Sequence, residues 1–252
     1  MSSPSGPRKT KRRLRLPLRV ALACACGVPG GAWGDGSIGG SLDVISDYIY
    51  HGLSQSGGDP AIQGDIHYRS ESGAAASDYF VGLWASTTSR MATGGTYELN
   101  AYAGRTFLLG SDSSLTLNYV HYAYPDSHGT PNYDYDEIAG TWAFQDRVFL
   151  TVAWTPDTAG YSERALGLCC RRLSYDVAVH QSLGHGFTLA GALGYDELSG
   201  ISGYAYWNGG VAYAIGAIQF DVSYFATQPR SAYLYGDTLA GGRWVGSLVW
   251  RF

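Results

Sequence analysis

The chain has 252 residues and a formal net charge of −4, with 35 Gly, 20 Tyr and only 15% charged residues. Seven of its 17 basic residues precede position 20 and no acid precedes Asp35, so the remainder holds ten Arg, no Lys and all 21 acids, a net of −11. So acidic a body excludes a nucleic-acid partner, which needs clustered cations, and a Tyr- and Gly-rich chain without Lys is unusual for a cytoplasmic enzyme.

In chain order, residues 1–34 read as an export signal. A basic stretch (Arg8 to Arg19) leads into the apolar run Val20–Val28, and Ala32-Trp33-Gly34 places small residues at the −3 and −1 positions of a cleavage site. The run is about half of the roughly 20 residues that a spanning helix needs. Residues 35–252 then form a single unit in which polar and apolar side chains alternate with period two. The alternating segments are 39–55, 60–71, 78–88, 95–107, 114–124, 133–144, 146–155, 172–183, 186–195, 204–213, 216–226 and 240–252. Most have about the length that a tilted strand needs to cross a bilayer.

The two faces of each segment differ sharply. Ile62, Ile66 and Tyr68 oppose Gln63, Asp65, His67 and Arg69; Ile218, Phe220 and Val222 oppose Gln219, Asp221 and Ser223. A soluble sandwich also alternates, so the connections decide. Links after even-numbered segments are short (72–77, 108–113, Gln145-Asp146, Gly184-His185, Ile215). Links after odd ones are long and carry Pro125, Pro131, Pro156 and Pro229, with 56–59 as the short exception. That asymmetry predicts an all-β, antiparallel up-and-down transmembrane barrel of about 12 strands in the bacterial outer membrane.

Parity then places Asp43, Asp47, Asp65, His67, Arg69, Glu98, Asn100, Asn118, Asp176, His180, Asp221, Arg243 and Arg251 in the lumen as pore-lining groups. Tyr48, Tyr68, Tyr79, Tyr97, Tyr119, Tyr133, Trp154, Tyr195, Tyr224 and Trp250 fall near strand ends, where an apolar ring with a polar tip suits a membrane interface. Segment 133–144 alternates poorly, because Asp134 and Asp136 share a face with Ile138 and Trp142. The last strand ends on Trp250 and the terminal Phe252, the pattern of a signal read by the barrel-assembly machinery.

The stretch SDYIYHGLSQSGGDPAIQGDIHY, residues 46–68, resembles the N-terminal signature of the TorF family of porin-like exported proteins. The resemblance continues into YFVGLWAST (79–87) and YELNAYAGRTF (97–107) and then fades. It implies an outer-membrane protein with a channel role, and it brings neither a substrate nor catalytic residues. The matching Gly52, Ser54, Gln55, Pro60, Gln63 and Gly64 read as structural, with Asp59-Pro60 turning between the first two strands.

Signals for chemistry are weak. Cys169-Cys170 are adjacent and lack further metal ligands at suitable spacing. Asp134-Tyr135-Asp136-Glu137 beside His128 could hold a divalent cation but reads more simply as solvated loop acids. His121 shares the Leu115/Leu117/Tyr119 face and could point into lipid, with Ser127 and His128 following; there is no Gly-x-Ser-x-Gly elbow. The expected function is passive diffusion of small hydrophilic solutes with weak cation preference, without enzyme activity, metal or cofactor. Expected partners are outer-membrane lipids, the assembly machinery and the solutes. A non-conducting barrel that presents its loops for binding, or a lipid-modifying enzyme using His121, are the alternatives.

Overall fold

The computed structural model describes residues 36–70, 77–127, 133–156, 171–199 and 203–252. Its strands are β1 (Ser37–Ile45), β2 (Ile49–Tyr50), β3 (Leu53–Ser54), β4 (Ala61–Arg69), β5 (Ser77–Thr87), β6 (Tyr97–Leu108), β7 (Ser113–Ala123), β8 (Tyr135–Phe144), β9 (Val148–Thr155), β10 (Arg172–Gly184), β11 (Phe187–Leu198), β12 (Tyr204–Ile215), β13 (Ile218–Thr227) and β14 (Arg243–Arg251). Two short helices, α1 (Arg90–Thr93) and α2 (Pro229–Tyr235), sit in connections. Strands β1 and β4–β14 form one closed barrel in sequential order, and β2–β3 is a separate two-stranded hairpin.

The barrel closes where β1 meets β14, with Leu42 opposite Trp250. Phe252 extends that seam: its N–H donates to Gly40 O at 3.1 Å and its carbonyl accepts from Gly40 N–H at 3.0 Å. Closure leaves no unpaired edge, a requirement in hydrocarbon, where a free N–H or C=O has no water to turn to. The alternation of the sequence becomes an inside-out arrangement. Along β13, Ile218, Phe220, Val222 and Tyr224 are exposed while Gln219, Asp221 and Ser223 are buried. Leu42, Ile62, Leu83, Leu117, Leu193 and Leu248 are likewise exposed around the wall. An exterior of this kind is stable only against lipid, and the chain is a bacterial outer-membrane barrel. No helix among the described residues is long and apolar enough to cross a membrane.

The links sort by end. At one end they run from two residues (185–186 and 216–217) to seven (70–76); at the other, from five (199–203) to sixteen (156–171). The tight turns are made by residues in the left-handed region, Gln145, Asp146 and His185 among them. The long-loop end faces outward by the usual asymmetry of such barrels.

The first strand departs from expectation. It ends at Ile45 rather than near 55, because residues 46–58 leave the wall and fold into the barrel. Asp47, Tyr48, Ile49, Tyr50, His51, Leu53, Ser54 and Ser56 are all buried there. Tyr48 is therefore an interior residue and not part of an interfacial girdle, and Tyr133 packs against the same interior cluster. Tyr68, Tyr79, Tyr97, Tyr119, Trp154, Tyr195, Tyr224 and Trp250 do project outward. Residues 1–34, His128, Pro131, Cys169 and Cys170 lie outside the described residues.

Candidate functional site

The candidate site is the lumen together with the segment that enters it. The neck of that segment is tied first. Ser46 N–H donates to Gly246 O at 2.9 Å, and Gly246 N–H donates to Ser46 Oγ at 2.9 Å. Beside it, Asp47 Oδ1 accepts from Ser54 Oγ (2.6 Å) and Ser56 Oγ (2.8 Å), while Oδ2 accepts from Arg243 Nη1 on β14 at 2.8 Å. One carboxylate thus joins both limbs of the hairpin to the wall.

From this neck the hairpin reaches across. Tyr48 packs on Trp84 of β5 with ring centroids 5.5 Å apart, and its hydroxyl donates to Glu98 of β6 at 3.4 Å. Tyr50 OH donates to Glu137 Oε2 of β8 at 3.1 Å and accepts from Arg172 Nη2 of β10 at 3.2 Å. Glu137 is a node, also accepting from Tyr122 (3.4 Å), Thr155 (3.3 Å) and Arg172 (3.3 Å). Arg172 lies over the rings of Tyr50 and Tyr135 and reaches Asp196 of β11 with Nε at 3.7 Å.

At the tip, His51 is stacked between Tyr50 (4.1 Å) and Tyr206 (5.4 Å), with Nδ1 3.5 Å from Asp196 Oδ2. That separation is an ion-pair distance and not a good hydrogen bond, and both ring nitrogens are buried without a hydrogen-bond partner. The next residue has to be glycine. Gly52 has φ +77°, and a Cβ there would lie 2.5 Å from Tyr206 Cβ and 2.5 Å from Thr227 Cγ2. On the return limb, Ser54 N–H donates to Leu239 O (2.8 Å), and Gln55 O accepts from Ser89 N–H (2.8 Å). The hairpin therefore touches both sides of the wall and forms a plate across the outward half of the lumen.

Toward the short-turn end the interior divides into two sectors. Strands β1, β4, β13 and β14 carry the charges. Asp65 accepts from Tyr102 OH and lies against His67 Nδ1. Gln219 donates to Asp221 and accepts from Arg251 Nη1 at 3.0 Å. The facing sector holds mostly small neutral side chains, Ala139, Ala143, Ala153, Ala178, Ala190 and Ala212, with the cross-strand pairs Thr106–Thr116 (3.0 Å) and Thr141–Thr151 (2.9 Å), and among them His180 lies against Phe149 with ring centroids 5.0 Å apart.

The residues singled out from parity fall as follows. Asp43, Asp65, His67, Arg69, Glu98, Asn100, Asn118, Asp176, His180, Asp221, Arg243 and Arg251 occupy inward positions of their strands. Asp47 is in the lumen too, but on the hairpin rather than the wall. Trp250 and Phe252 point outward, 5.2 Å apart. Parity reasoning missed Glu137, Arg172 and Asp196, which tie down the tip. Asp196 shares the face of Ala190 and Ala192, because the strand runs on to Leu198 rather than ending at 195. Glu137 shares its inward parity with Ala139, and its acidic run with Asp134 and Asp136 makes it resemble a solvated loop acid in the sequence.

Those neighbours do not converge on a cation. Asp134 Oδ1 accepts from Tyr124 N–H at 2.8 Å, Asp136 faces outward, and Glu137 faces inward. No group of three potential metal ligands occurs among the described residues. Ser127 Oγ donates to Tyr124 O at 2.8 Å, so it is committed to its own loop.

Similarity to solved structures is confined to fold. A chain from "Unveiling the Mechanism Behind the in-meso Crystallization of Membrane Proteins" superposes with a TM-score of 0.56 at 11% identity, covering 85% of this chain and 83% of that one. KdgM porin gives 0.49 at 11% identity, covering 84% and 99%. The CymD monoaromatic hydrocarbon channel gives 0.49 at 8% identity, covering 87% and 88%. No curated protein sequence matches. A family model does match residues 31–248, and the chain belongs to that family, Gcw_chp, described as bacterial proteins of unknown function.

Proposed function

We propose that this barrel is an outer-membrane channel for passive diffusion of small hydrophilic solutes, and that residues 46–58 set whether it is open. The observation that carries the reading is what closes the lumen. A barrel sealed by its own wall would need interdigitating side chains on every strand. Here the outward half is closed by a hairpin joined to the wall through the turn at 46 and 59–60, and over one sector the inward half is lined mainly with Ala and Thr, with Phe149 and His180 among them. A hairpin can be displaced without unzipping a strand; a packed wall cannot.

The N-terminal signature that resembles the TorF family is this hairpin and its flanks, so the resemblance supports the same reading. Interior acids (Asp43, Asp47, Asp65, Glu98, Glu137, Asp176, Asp196, Asp221) outnumber interior arginines (Arg69, Arg172, Arg243, Arg251) two to one, which favours cations weakly. Biogenesis fits as well: residues 1–34 are removed on export, and the outward Trp250 and Phe252 are offered to the barrel-assembly machinery.

The test is recording in planar bilayers of the intact barrel beside Tyr50→Ala, which removes the contacts to Glu137 and Arg172. The wild type should show rare steps and the variant frequent ones of larger amplitude. Silence from both, with folded protein verified by heat-dependent mobility, would remove the channel. It would leave the second reading, a non-conducting barrel, which the many ties of the hairpin favour.

A further inference from the structure

The outer face of the wall carries an ionisable cluster that a channel does not use. Asp136, the second residue of β8, points out of the barrel, and its side chain is 48% exposed. Its Oδ1 accepts from Tyr119 OH at 2.6 Å and lies 2.8 Å from His121 Nδ1, the residue paired with it across β7 and β8. Ionisable groups on a lipid-facing surface are costly and mark function by default. This cluster lies at the long-loop end of β8, where head groups are within reach.

An apolar groove of about 460 Å³ leads up to it. Ala101 and Ala103 form the floor between the bulkier Leu83 and Val81 on one side and Tyr119 on the other. Register continues the groove directly into the cluster: Ala103 is opposite Tyr119, and Ala101 is opposite His121. Because paired residues climb around a tilted barrel, the groove rises obliquely from hydrocarbon depth toward the outer rim.

The chemistry of the cluster selects the head. Both bonds to the carboxylate fall on Oδ1, so Oδ2 faces the boundary as an acceptor. His121 Nδ1 is engaged with Asp136, which leaves Nε2 as the second polar atom of the ring. Arg105 on the same face of β6 lies toward the short-turn end over the rings of Tyr79 and Phe107, and Arg90 at the long-loop end is paired with Asp126, so both guanidinium groups are engaged elsewhere and the cluster offers acceptors rather than a cation. We propose that Tyr119, His121 and Asp136 form a head-group site for a membrane lipid whose head donates hydrogen bonds, with one acyl chain along the Ala101/Ala103 groove. Ammonium and the hydroxyl or amide groups of an acylated sugar share this chemistry.

The experiment is native mass spectrometry of the delipidated, folded barrel with four lipids of matched chains: phosphatidylethanolamine, phosphatidylcholine, phosphatidylglycerol and an acylated glucosamine glycolipid. A donor head should be retained about tenfold better than phosphatidylcholine, whose ammonium cannot donate. Preference for the ethanolamine lipid alone, or for the glycolipid alone, identifies the source. Asp136→Ala should abolish the preference while conductance and heat-dependent mobility stay unchanged. Ala101→Leu, which leaves the cluster intact and fills the groove, should lower retention of every chain; it also tests the site should Asp136→Ala fail to fold. Equal retention of all four lipids, preference for phosphatidylglycerol, or a preference that survives both substitutions would overturn the site.

Discussion

Asp47 is nearly sealed from water, and Arg243 supplies the guanidinium that compensates its charge. Removing one member of a buried pair leaves the other charge stranded, at a cost of about 3 kcal/mol. Arg243→Ala should therefore shift the hairpin toward release by roughly a hundredfold, seen as a matching rise in open events in bilayers. Arg243→Lys should fall between, because a single ammonium cannot also reach Thr238 O and Ala240 O as the guanidinium does. Gly52→Ala should open the channel for a different reason, a Cβ with no space beside Tyr206. In the loops, burial works against ionisation of Asp126, but hydrogen bonds from the Thr96 side chain and backbone and from the Tyr97 backbone, with Arg90 nearby, hold its carboxyl below the usual range. A carboxylate with a lowered folded value contributes in full above its unfolded value, near 4, and loses that contribution as pH falls through the folded value. Protection of the Thr96 amide from hydrogen exchange should be flat from pH 7 to about 5 and then fall; in Asp126→Asn it should be low throughout. Protection that stays flat through the acid limb would show that the carboxylate does not hold the loop.

The hairpin is separable at the scale of elements. Ile45 pairs with Ala61 at the last rung of β1 and β4, so a short turn can replace residues 46–60 without changing a single wall register. That replacement should leave the heat-dependent mobility of a folded barrel and give steps that are larger and continuously open. Loss of the barrel instead would mean that the hairpin is its core. The second prospect has a physical basis: Tyr48, Tyr50, Trp84, Tyr102, Tyr122 and Tyr124 form one aromatic cluster, and aromatic side chains bury the largest areas of any residue. The closed antiparallel ladder argues the other way, since every strand has two neighbours whether or not the lumen is filled.

For the whole molecule, the distribution of charge sets a selectivity that is independent of the hairpin. Asp43 and Asp221 lie in the charged sector away from the tie points of residues 46–58. In a salt gradient the reversal potential of the hairpin-free barrel should lie on the cation side, and Asp43→Asn with Asp221→Asn should move it toward zero. A reversal potential on the anion side would mean that Arg69 and Arg251 dominate the path. The same molecular view accounts for the exterior. Large apolar side chains cover it nearly without interruption, so the folded barrel should remain monodisperse only with a surfactant or bilayer present.

Much of this was legible from the sequence, because two-residue periodicity is a local property. A side chain's face depends on position parity alone, and the lengths of links are counted along the chain. Hence the number of wall strands, their order and most inward residues follow from residues 39–252 without coordinates. Three things did not. The segment 46–55 alternates like a strand, yet alternation equally suits a hairpin that packs on opposite walls, Tyr48 on Trp84 and Ile49 on Phe225 and Val245, and only closure of the barrel supplies the second wall. Glu137, Arg172 and Asp196 acquire a role only when strands far apart in sequence face the same tyrosine and histidine. His121 and Asp136 become a pair only through the register of β7 and β8. The sequence by itself determined which side chains meet lipid and which meet the interior, because that needs one strand at a time. What occupies the interior was decided by the tertiary structure, because it depends on distances across the barrel that no local pattern encodes.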